Sequence, residues 1–442
     1  MNARVSRPIR IGLFGAGVVG EGILRLLEDN AGAIERRMGS SIEVRRVVAR
    51  DTGRPRSSRF DGLLSFRPED VLDDPEIDVV VEVMGGLEPA GEYVRRAIEA
   101  GKSVVTANKA LLAERGHELI PLSEARRVDL YFEAAVAGGI PVIRVLREAL
   151  AADTVVALRG IVNGTSNYIL SEMRERGLDF AEALAGAQAA GYAEADPTLD
   201  VGGGDATHKL AILATLAFGA DVRPEEIATE GITEVGAVDI EMASRFGYVI
   251  KPLAVGAARP DGSLDLRVHP ALVPEASVLA SISGALNVVV LEGKMLGPCL
   301  LSGYGAGALP TAMSVVSDIV DVGRNLVFGA SGRVPQRAWR GEHLARPPIA
   351  PPGQHECRWY LRFSVLDRPG VLARIAGVLG AFDVSIEQMV QEGRGGGSDE
   401  PVHVVMLTHE AREENVRHAL REIELLKGMV ARARALRIEA GA

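Results

Sequence analysis

The segment from Gly191 to Lys209, GYAEADPTLDVGGGDATHK, concentrates groups that can bind ions and transfer protons. Asp205 and Lys209 stand four residues apart before the apolar run 210–220, so on a helix their side chains share one face, with roughly 6 Å between Cβ atoms. We expect Asp205, which follows three glycines, to be the N-cap of a buried helix. Burial and the positive end of the helix dipole both disfavour the ammonium form, so the pKa of Lys209 should fall towards neutrality, where a lysine can exchange protons. The alternative is a surface Asp–Lys pair that caps a core helix.

A glycine-rich turn near the N-terminus predicts a dinucleotide site. The short strand 11–14 is followed by GAGVVG at 15–20 and then by a helical run. In that order Gly15 permits a tight turn, Gly17 lets the backbone approach a pyrophosphate, and Gly20 lets the helix pack on the strand. A merely tight strand-to-helix turn is the alternative. The residues expected to contact the cofactor here are Phe14, Gly15, Gly17, Val18, Val19 and Gly20.

Three further strands, at 42–49, 79–83 and 103–106, alternate with helical segments. Alternation of this kind predicts a parallel, doubly wound sheet of the Rossmann type in an α/β protein. The second strand ends at Arg50-Asp51, where Arg50 suits the 2′-phosphate of NADP and Asp51 suits the ribose hydroxyls of NAD. These two residues do not decide whether the cofactor is NADP or NAD, and we favour NADP.

Lys109 follows the strand 103–106 in the sequence TANK, at the edge of the sheet where ligands of doubly wound folds bind. Gly85 follows the strand 79–83 at the same edge and is a further expected cofactor contact. An ordinary lysine at a helix start is the alternative interpretation of Lys109. Two lysines, Lys109 and Lys209, are thus candidates for the same reaction.

The composition is that of a globular enzyme, because 442 residues with 47% hydrophobic and 24% charged side chains predict two or three domains. Cys299 and Cys357 are far apart and give neither a disulfide framework nor a metal-ligand spacing, which favours a cytoplasmic location. The net charge of −10, without a basic cluster among aromatics, argues against a nucleic-acid partner. No apolar stretch approaches the roughly 20 residues of a membrane helix, so no membrane partner is expected.

Several motifs resemble those of one family, the homoserine dehydrogenases. The pattern Ala-x-x-x-Gly-Tyr-Ala-Glu-x-Asp-Pro-x-x-Asp-Val-x-Gly-x-Asp at 187–205 is similar to the family signature, and Lys209 stands where the family has its proton-transfer lysine. TANK at 106–109 and GIVNGTSNYI at 160–169 are also typical of the family. The resemblance covers nearly the whole chain and implies the monofunctional enzyme. Its reaction is the reversible NAD(P)H-dependent reduction of L-aspartate 4-semialdehyde to L-homoserine, in threonine and methionine biosynthesis.

The resemblance implies a role for each matched residue. Lys209 would donate a proton to the carbonyl oxygen as the nicotinamide supplies the hydride, and Lys109 would orient that oxygen or share the proton transfer. Glu194 and Asp205 would bind the substrate ammonium, and Asp200 is a further residue expected to bind the substrate.

Further cofactor contacts are implied in two loops. One is the loop GYGAGALPT at 303–311, where the family usually has GPGAG and this chain has Tyr304 in place of the proline. A flexible loop before a helix is the alternative interpretation of this segment. The implied contacts outside the N-terminal turn, in addition to Arg50 and Gly85, are Lys109, Gly191, Glu194, Gly305 and Gly307.

The segment 130–142, LYFEAAVAGGIPV, is predicted as an apolar strand with a single carboxylate, Glu133. A buried unpaired carboxylate is costly, so Glu133 must find a partner or a cation. In the resembled family this segment holds a monovalent cation, usually Na⁺. The implied ligands are the carboxylate of Glu133 and the carbonyl oxygens of Val136, Gly138 and Ile140, which suit a hard cation. A glutamate that is only hydrogen-bonded is the alternative.

Four prolines in RPPIAPPGQ at 346–354 indicate a stiff linker. The next residues show the order strand, helix, strand, strand, helix, strand, which predicts a ferredoxin-like domain. The sequence DRPGVL at 367–372 resembles the first loop of ACT domains, where amides near Gly370 could seat an amino-acid carboxylate. Threonine is the allosteric effector that the resemblance favours. A dimerisation module without a ligand is the alternative, and a homodimer or homotetramer is expected.

These features divide the chain into a dinucleotide-binding domain at 1–135, completed by about 305–330, an α+β substrate-binding and dimerisation domain at 136–304, a linker at 331–354 and an ACT regulatory domain at 355–440. Two other functions stay open from the sequence. One is a non-catalytic NAD(P)- and amino-acid-sensing regulatory protein, and the other is a related amino-acid dehydrogenase. The two lysines expected at one site argue against the non-catalytic sensing protein, because binding alone does not require two groups that transfer protons.

Overall fold

The structure is a computed structural model of the 442-residue chain, and it describes residues 7–50, 53, 55–392 and 401–439. The chain folds into two compact units, each assembled from three separated segments. The first unit comprises Met1–Gly164, Asp205–Ile227 and Ala285–Pro347, and the second comprises Thr165–Gly204, Ala228–Gly284 and Pro348–Ala442.

Helices and strands alternate along the first part of the chain, and long strands dominate the second. The strands within the described residues are β1 (Ile9–Phe14), β2 (Ile42–Val48), β3 (Leu64–Ser65), β4 (Val79–Glu82), β5 (Ser103–Thr106), β6 (Leu130–Tyr131), β7 (Val155–Ile161), β8 (Ala228–Thr229), β9 (Tyr248–Ala258), β10 (Leu264–Pro274), β11 (Leu286–Gly293), β12 (Gly297–Tyr304), β13 (Glu356–Leu366), β14 (Ile386–Glu392), β15 (Pro401–Thr408), β16 (Ala411–Arg412) and β17 (Arg434–Ile438). The α-helices of the same residues are α1 (Val18–Asp29), α2 (Ala31–Met38), α3 (Glu69–Leu72), α4 (Ala90–Glu99), α5 (Lys109–Arg126), α6 (Val142–Arg144), α7 (Gly164–Arg176), α8 (Phe180–Ala189), α9 (Thr198–Val201), α10 (Gly204–Phe218), α11 (Ala237–Arg245), α12 (Val278–Ser281), α13 (Ala308–Phe328), α14 (Val371–Ala381) and α15 (Glu413–Glu424).

The first unit contains a six-stranded sheet in the order β3-β2-β1-β4-β5-β6. All of its pairings are parallel, and this order is that of a doubly wound dinucleotide-binding fold. Every residue of β4 is buried, as expected of a parallel strand whose two faces are both covered. Helices α1 and α13 pack against each other in a core that includes Leu13, Ile23 and Ile319. The predicted Rossmann-type sheet is confirmed.

The segment 130–142 differs from its prediction as a strand. Only β6, at its start, pairs in the sheet, and Glu133–Ala135 forms a 3₁₀ turn. Ala137 and Gly138 then adopt positive φ, which a strand does not allow. The run is apolar because it is buried, since Val136 and Ala137 have no exposed surface. A short apolar run indicates burial and does not distinguish a strand from a buried turn.

The first unit also contains an antiparallel sheet in the order β12-β11-β7. Strand β12 lies at its edge, and intermediate and exposed residues alternate along it. No helix of the described residues is both long and apolar enough to cross a membrane.

The second unit contains a sheet in the order β9-β10-β17-β13-β15-β14. Strands β13, β14, β15 and β17, with α14 and α15, follow the order strand, helix, strand, strand, helix, strand, so the predicted ferredoxin-like module is confirmed. Its last strand, β17, pairs antiparallel with β13 and parallel with β10, through the pairs Ala271–Arg437 and Leu272–Ile438. The module therefore continues the sheet of the β9–β10 hairpin.

One apolar core and several buried ion pairs fasten the module to the rest of the second unit. Leu272 packs in the same cluster as Tyr360 and Ile438. Arg437 lies 2.8 Å from Glu413 within the module and 3.2 Å from Glu230 outside it. Removing the module would therefore expose apolar surface and strip charges of their partners.

The proline-rich segment is anchored in both units. In the first unit Arg346 lies 2.6 Å from Asp221. In the second unit the Leu264 amide donates to the Pro348 carbonyl at 2.9 Å, and the Ala350 amide donates to the Leu264 carbonyl at 2.8 Å. The domain boundaries drawn from the sequence stay a prediction.

Candidate active site

Three charged side chains meet at the first turns of α5 and α10. The Lys109 Nζ lies 2.5 Å from Asp205 Oδ1, and the Lys209 Nζ lies 2.7 Å from Asp205 Oδ2. Lys209 also donates to the carbonyl of Val162, just after β7, at 2.6 Å. Asp205 and Lys209 are buried, whereas the Lys109 side chain keeps 35% of its surface exposed. The structure therefore brings both predicted lysines to one buried carboxylate.

The two neighbouring lysines stabilise the ionised form of the Asp205 carboxylate. Burial alone would raise the pKa of Asp205, but the charges of Lys209 and Lys109 and the hydrogen bonds from both hold it well below its usual value. Asp205 is therefore ionised at neutral pH. A buried anion between two cations fixes the positions of both ammonium groups.

The starts of the two helices use different capping groups. Helix α10 begins at Gly204, two residues earlier than an N-cap at Asp205 would allow, so the prediction of Asp205 as its N-cap is wrong. The Asp205 carboxylate binds side chains instead. At α5 the Asn108 side chain accepts from the Leu111 amide at 3.1 Å and is the N-cap, which places Lys109 in the first helical position.

Two further groups of the site were missed by the sequence analysis. The Asn163 Nδ2 donates to Asp205 Oδ2 at 2.8 Å, although turn chemistry alone accounts for an Asn-Gly pair in sequence. No local pattern links the two side chains, which are 42 residues apart. Val162 contributes only a backbone carbonyl, which side-chain patterns do not identify.

The glycine turn after β1 has the geometry expected of each glycine. Gly15 has a φ of +124°, and a Cβ there would lie 2.8 Å from the Val83 carbonyl oxygen. A Cβ at Gly20 would collide with the Gly15 carbonyl oxygen. At Gly17, the N-cap of α1, no atom lies within 4 Å of the Cβ position. The N-terminus of α1 is therefore open to a phosphate.

Two other predicted cofactor contacts lie beside this turn in the sheet. Arg50 follows β2 and is exposed, whereas Asp51 lies outside the described residues. Gly85 has a φ of +77° just after β4. The Glu82 carboxylate accepts from the amides of Met84 and Gly85 at 2.8 and 3.2 Å, which fixes the course of this loop.

Gly305 is the crowded glycine of the 303–311 loop. A Cβ at Gly305 would collide with the Asn287 amide, and one at Gly138 would collide with the Gly305 carbonyl. Gly307 has a φ of +118° and is the N-cap of α13. Tyr304, in place of the family proline, is 65% exposed. Close packing alone thus requires glycine at position 305.

Glu133 is held by backbone amides. Its Oε1 accepts from Ile143 and its Oε2 from Arg144, both at 2.8 Å, and its own amide donates to Asp318 Oδ2 at 2.7 Å. Burial raises the pKa of Glu133 despite these bonds, and burial together with the Glu133 charge raises the pKa of Asp318 to about 8. The Gly138 carbonyl accepts from Ser314 Oγ at 2.7 Å. No group of three His, Cys, Asp or Glu side chains in the described residues could hold a metal ion.

Three acidic residues of the family signature, Glu194, Asp196 and Asp200, belong to the second unit, whereas Asp205 belongs to the first. Gly191 has a φ of +77° after α8, and Glu194 is exposed. The Asp200 carbonyl, in α9, accepts from Ser166 Oγ at 3.0 Å. Asp196 is exposed, and hydrogen bonds from Thr198 lower its pKa. Glu194 and Asp196 therefore lie in an exposed loop between α8 and α9.

Comparison with known proteins identifies three family regions in the chain. The NAD-binding domain of homoserine dehydrogenase matches residues 15–133, homoserine dehydrogenase matches 141–320, and the ACT domain matches 359–426. A curated homoserine dehydrogenase from Pseudomonas aeruginosa is 44% identical over 435 residues, which is 98% of this chain and 99% of the relative. That from Neisseria gonorrhoeae is 43% identical over 420 residues, which is 95% of this chain and 96% of the relative. The chain belongs to the homoserine dehydrogenase family.

Solved homoserine dehydrogenases share the fold. The crystal structure of one from Thiobacillus denitrificans has a TM-score of 0.92 and 45% sequence identity, with 98% of both chains covered. A hyperthermophilic archaeal homoserine dehydrogenase in complex with NADPH has a TM-score of 0.61 and 26% identity, covering 72% of this chain and 98% of its own. The predicted family, fold class and oxidoreductase activity are confirmed. The reaction is the reversible NAD(P)H-dependent reduction of L-aspartate 4-semialdehyde to L-homoserine, with a nicotinamide cofactor.

Proposed function

We propose that Lys209 donates the proton that turns the carbonyl oxygen of L-aspartate 4-semialdehyde into the hydroxyl of L-homoserine. The observation that carries the proposal is the pair of ammonium groups on one buried carboxylate. Asp205 holds Lys209 and Lys109 in place, and the Val162 carbonyl further restricts the direction in which Lys209 points. Lys109, the more exposed of the two, orients the reacting oxygen. A bound reduced nicotinamide supplies the hydride.

The activity is tested by the nicotinamide absorbance band, with homoserine and each oxidised cofactor and with the aldehyde and each reduced cofactor. We expect reversible turnover with homoserine. A sensing protein would bind cofactor without any change in absorbance, and a related dehydrogenase would oxidise another amino acid but not homoserine. Either result would contradict the proposal.

The substrate ammonium is proposed to bind Glu194 and Asp205, and Asp200 is proposed as a further substrate contact. Both oxygens of Asp205 already accept from lysines, so we assign it mainly the task of orienting Lys109 and Lys209. Glu194 is exposed and available to a ligand. Gly191 and Glu194 are also proposed to contact the cofactor.

The proposed cofactor is NADP rather than NAD, because Arg50 is exposed directly after β2. Arg50→Ala is expected to weaken NADPH binding about tenfold, because a charge-assisted contact to the 2′-phosphate is lost, and to leave NADH binding unchanged. Dissociation constants for both cofactors measure this. Arg46, another exposed arginine on β2, provides the matched control Arg46→Ala, which should affect neither. Equal weakening of both cofactors by Arg50→Ala would refute the preference.

We also propose a monovalent cation, Na⁺, at Glu133 and the carbonyl oxygens of Val136, Gly138 and Ile140. The raised pKa values of Glu133 and Asp318 support it, because a cation would relieve the cost of two buried carboxyl groups. Oxygen ligands of this kind suit a hard cation. Titration of the apo-protein with NaCl, against choline chloride, tests the site through thermal stability.

The ACT domain is proposed to bind threonine as an allosteric inhibitor, with the amino-acid carboxylate at the amides that begin α14. Gly370 supports this because it has a φ of +86° and no atom lies within 4 Å of its Cβ position. The amides behind it are thus open to an anion. Truncation before the domain would not test the idea cleanly, since it would expose the core shared with Leu272.

A point substitution tests the effector site instead. Gly370→Val is expected to reduce threonine inhibition roughly 5- to 150-fold in affinity, the span of typical allosteric couplings, because a branched side chain would cover the amides. Inhibition constants from initial rates measure the effect. Gly377, an exposed glycine inside α14, gives the control Gly377→Ala, which should keep full inhibition. If threonine does not inhibit the unmodified protein, the domain is better assigned to assembly.

The proposed assembly is a homodimer or homotetramer in the cytoplasm. The exposed edge strand β12, with Leu300 41% exposed and Met295 82% exposed beside it, is a surface that a second chain could cover. Sedimentation equilibrium distinguishes the two assemblies.

A further inference from the structure

Residues 230–239, called the connecting segment below, run from the end of β8 into the first turn of α11. They belong to the second unit, which also contains the signature residues up to Gly204 and the whole ACT domain. Side chains of the connecting segment bind the ACT domain, whereas its backbone binds the end of α9. The segment is therefore a direct connection between the two within this unit.

The bonds to the ACT domain are charged and partly buried. Asp239 has no exposed surface and accepts from the Tyr360 hydroxyl at 2.9 Å. The Arg362 guanidinium also donates to Asp239, at 2.6 and 3.1 Å. At the other end of the segment Glu230 lies 3.2 Å from Arg437. Charge-assisted bonds are the stronger class of hydrogen bond, so these contacts fix the connecting segment on β13 and β17.

The backbone of the connecting segment holds the end of α9. The Ile232 amide donates to the Val201 carbonyl at 2.8 Å. Gly231 packs so closely here that a Cβ would collide with the Val201 carbonyl oxygen and lie 2.8 Å from the Cα of Gly202. The φ of Gly231 is not positive, so its backbone conformation does not itself require glycine. The contact with α9 does.

The signature loop stands on an apolar core that it shares with the ACT domain. Ala193, which precedes the exposed Glu194, is buried. Val201, which follows Asp200, is buried as well. Both pack in the same cluster as Tyr360 of the ACT domain. Protein cores have few voids and transmit displacements, so a shift of the connecting segment would move the two proposed substrate contacts.

We propose that the connecting segment is a positioning element: the ACT domain holds it, and it holds the signature loop in the conformation that binds substrate. The inference rests on the proposed substrate contacts Glu194 and Asp200, and it requires no effector. The two site lysines and their shared carboxylate are held by bonds of their own in the first unit. Displacement of the loop should therefore weaken substrate binding and leave kcat nearly unchanged.

Gly231→Ala in the full chain tests the contact with α9. KM for homoserine is expected to rise at least about tenfold, because small misplacements of binding groups are costly, and kcat should change less than about threefold. Initial rates at varied homoserine measure both quantities. Gly236→Ala is the matched control in the same segment, since the nearest atom to a Cβ there, Asp239 Oδ2, is at an ordinary 3.5 Å. It should leave KM unchanged.

Hydrogen exchange separates this inference from the substrate assignment. The amides of 200–203 are all hydrogen-bonded, and in Gly231→Ala they should exchange roughly tenfold faster. Glu194→Gln tests the substrate contact by itself. If it raises KM while Gly231→Ala leaves KM and exchange unchanged, the positioning inference is overturned alone. If exchange rises in Gly231→Ala but neither variant raises KM, the proposed substrate contacts are wrong instead.

Arg434 tests the connection from the ACT domain. Its guanidinium lies 2.9 Å from Glu234 and 3.3 Å from Glu230. Arg434→Met should raise KM for homoserine roughly two- to tenfold, within the range of couplings along such networks. Arg437 still pairs with Glu230 in this variant, so it should fold and keeps the proposal testable if Gly231→Ala does not. Arg432→Met, at a side chain 91% exposed, is the control and should have no effect. An unchanged KM in Arg434→Met would contradict the role of the ACT domain.

Discussion

Lys209→Ala is expected to lower kcat by a factor on the order of 10² to 10⁴, the usual contribution of one general acid, while cofactor affinity stays nearly unchanged. The reason is that Lys209, fixed by Asp205 and the Val162 carbonyl, is the group proposed to give the proton. Steady-state rates in both reaction directions and fluorescence titration of the cofactor measure the two quantities.

Two further variants separate chemistry from packing. Lys209→Arg keeps a positive charge but holds its proton too tightly to donate it, so kcat should stay low. Lys102 is another buried lysine of the first unit and donates to the carbonyls of Asp74 and Ile77. Lys102→Met should lower stability and leave kcat intact. Turnover at the normal rate in Lys209→Ala would make that lysine a structural residue only.

Asp205→Asn is expected to lower kcat/KM by about 10²-fold and the free energy of unfolding by about 3 to 5 kcal/mol. The activity falls because both ammonium groups lose their common anchor, and small misplacements of catalytic groups are costly. The stability falls because a buried ion pair loses one partner. Initial rates and urea denaturation at neutral pH measure the two effects.

The pH dependence of stability provides a control for this prediction. The lysine charges hold the folded-state pKa of Asp205 below its unfolded value of 3.8, so its ion pairs stabilise the fold fully above that pH and progressively less as the pH falls below it. The stability difference between the unmodified protein and Asp205→Asn should therefore shrink in acid. Asp61→Asn, at an exposed aspartate of the same unit, should cost less than about 1 kcal/mol. A constant difference down to pH 3 would mean that Asp205 is not stabilised as an anion.

Features that depend on neighbouring residues could be predicted from the sequence. The alternation of apolar strands with helices was sufficient to predict a parallel, doubly wound sheet and its strands β1, β2, β4 and β5, and the strand 103–106 has the predicted bounds of β5. The four-residue spacing of Asp205 and Lys209 was sufficient for their ion pair. These predictions succeeded because hydrophobic periodicity and helical spacing are local properties.

Features that depend on distant segments could not be predicted in this way. The bond from Asn163 to Asp205 and the ion pair of Lys109 with Asp205 join segments that meet only in the folded chain. The 130–142 segment was predicted wrongly because its apolar residues signal burial, whereas Gly138 and its neighbour turn the backbone. The roles of the individual site residues stay predictions that the experiments above address.

The pairing of β10 with β17 has a consequence for how the protein is made. Leu272 cannot acquire its strand partner Ile438 until synthesis has passed through the whole intervening chain, including the ACT module. The β9–β10 hairpin therefore leaves the ribosome with an unpaired edge and an uncovered apolar face, and such surfaces are prone to aggregate. Completion of the second unit must wait for the synthesis of β17, so chaperones that shield nascent chains should govern its yield more than its final stability does.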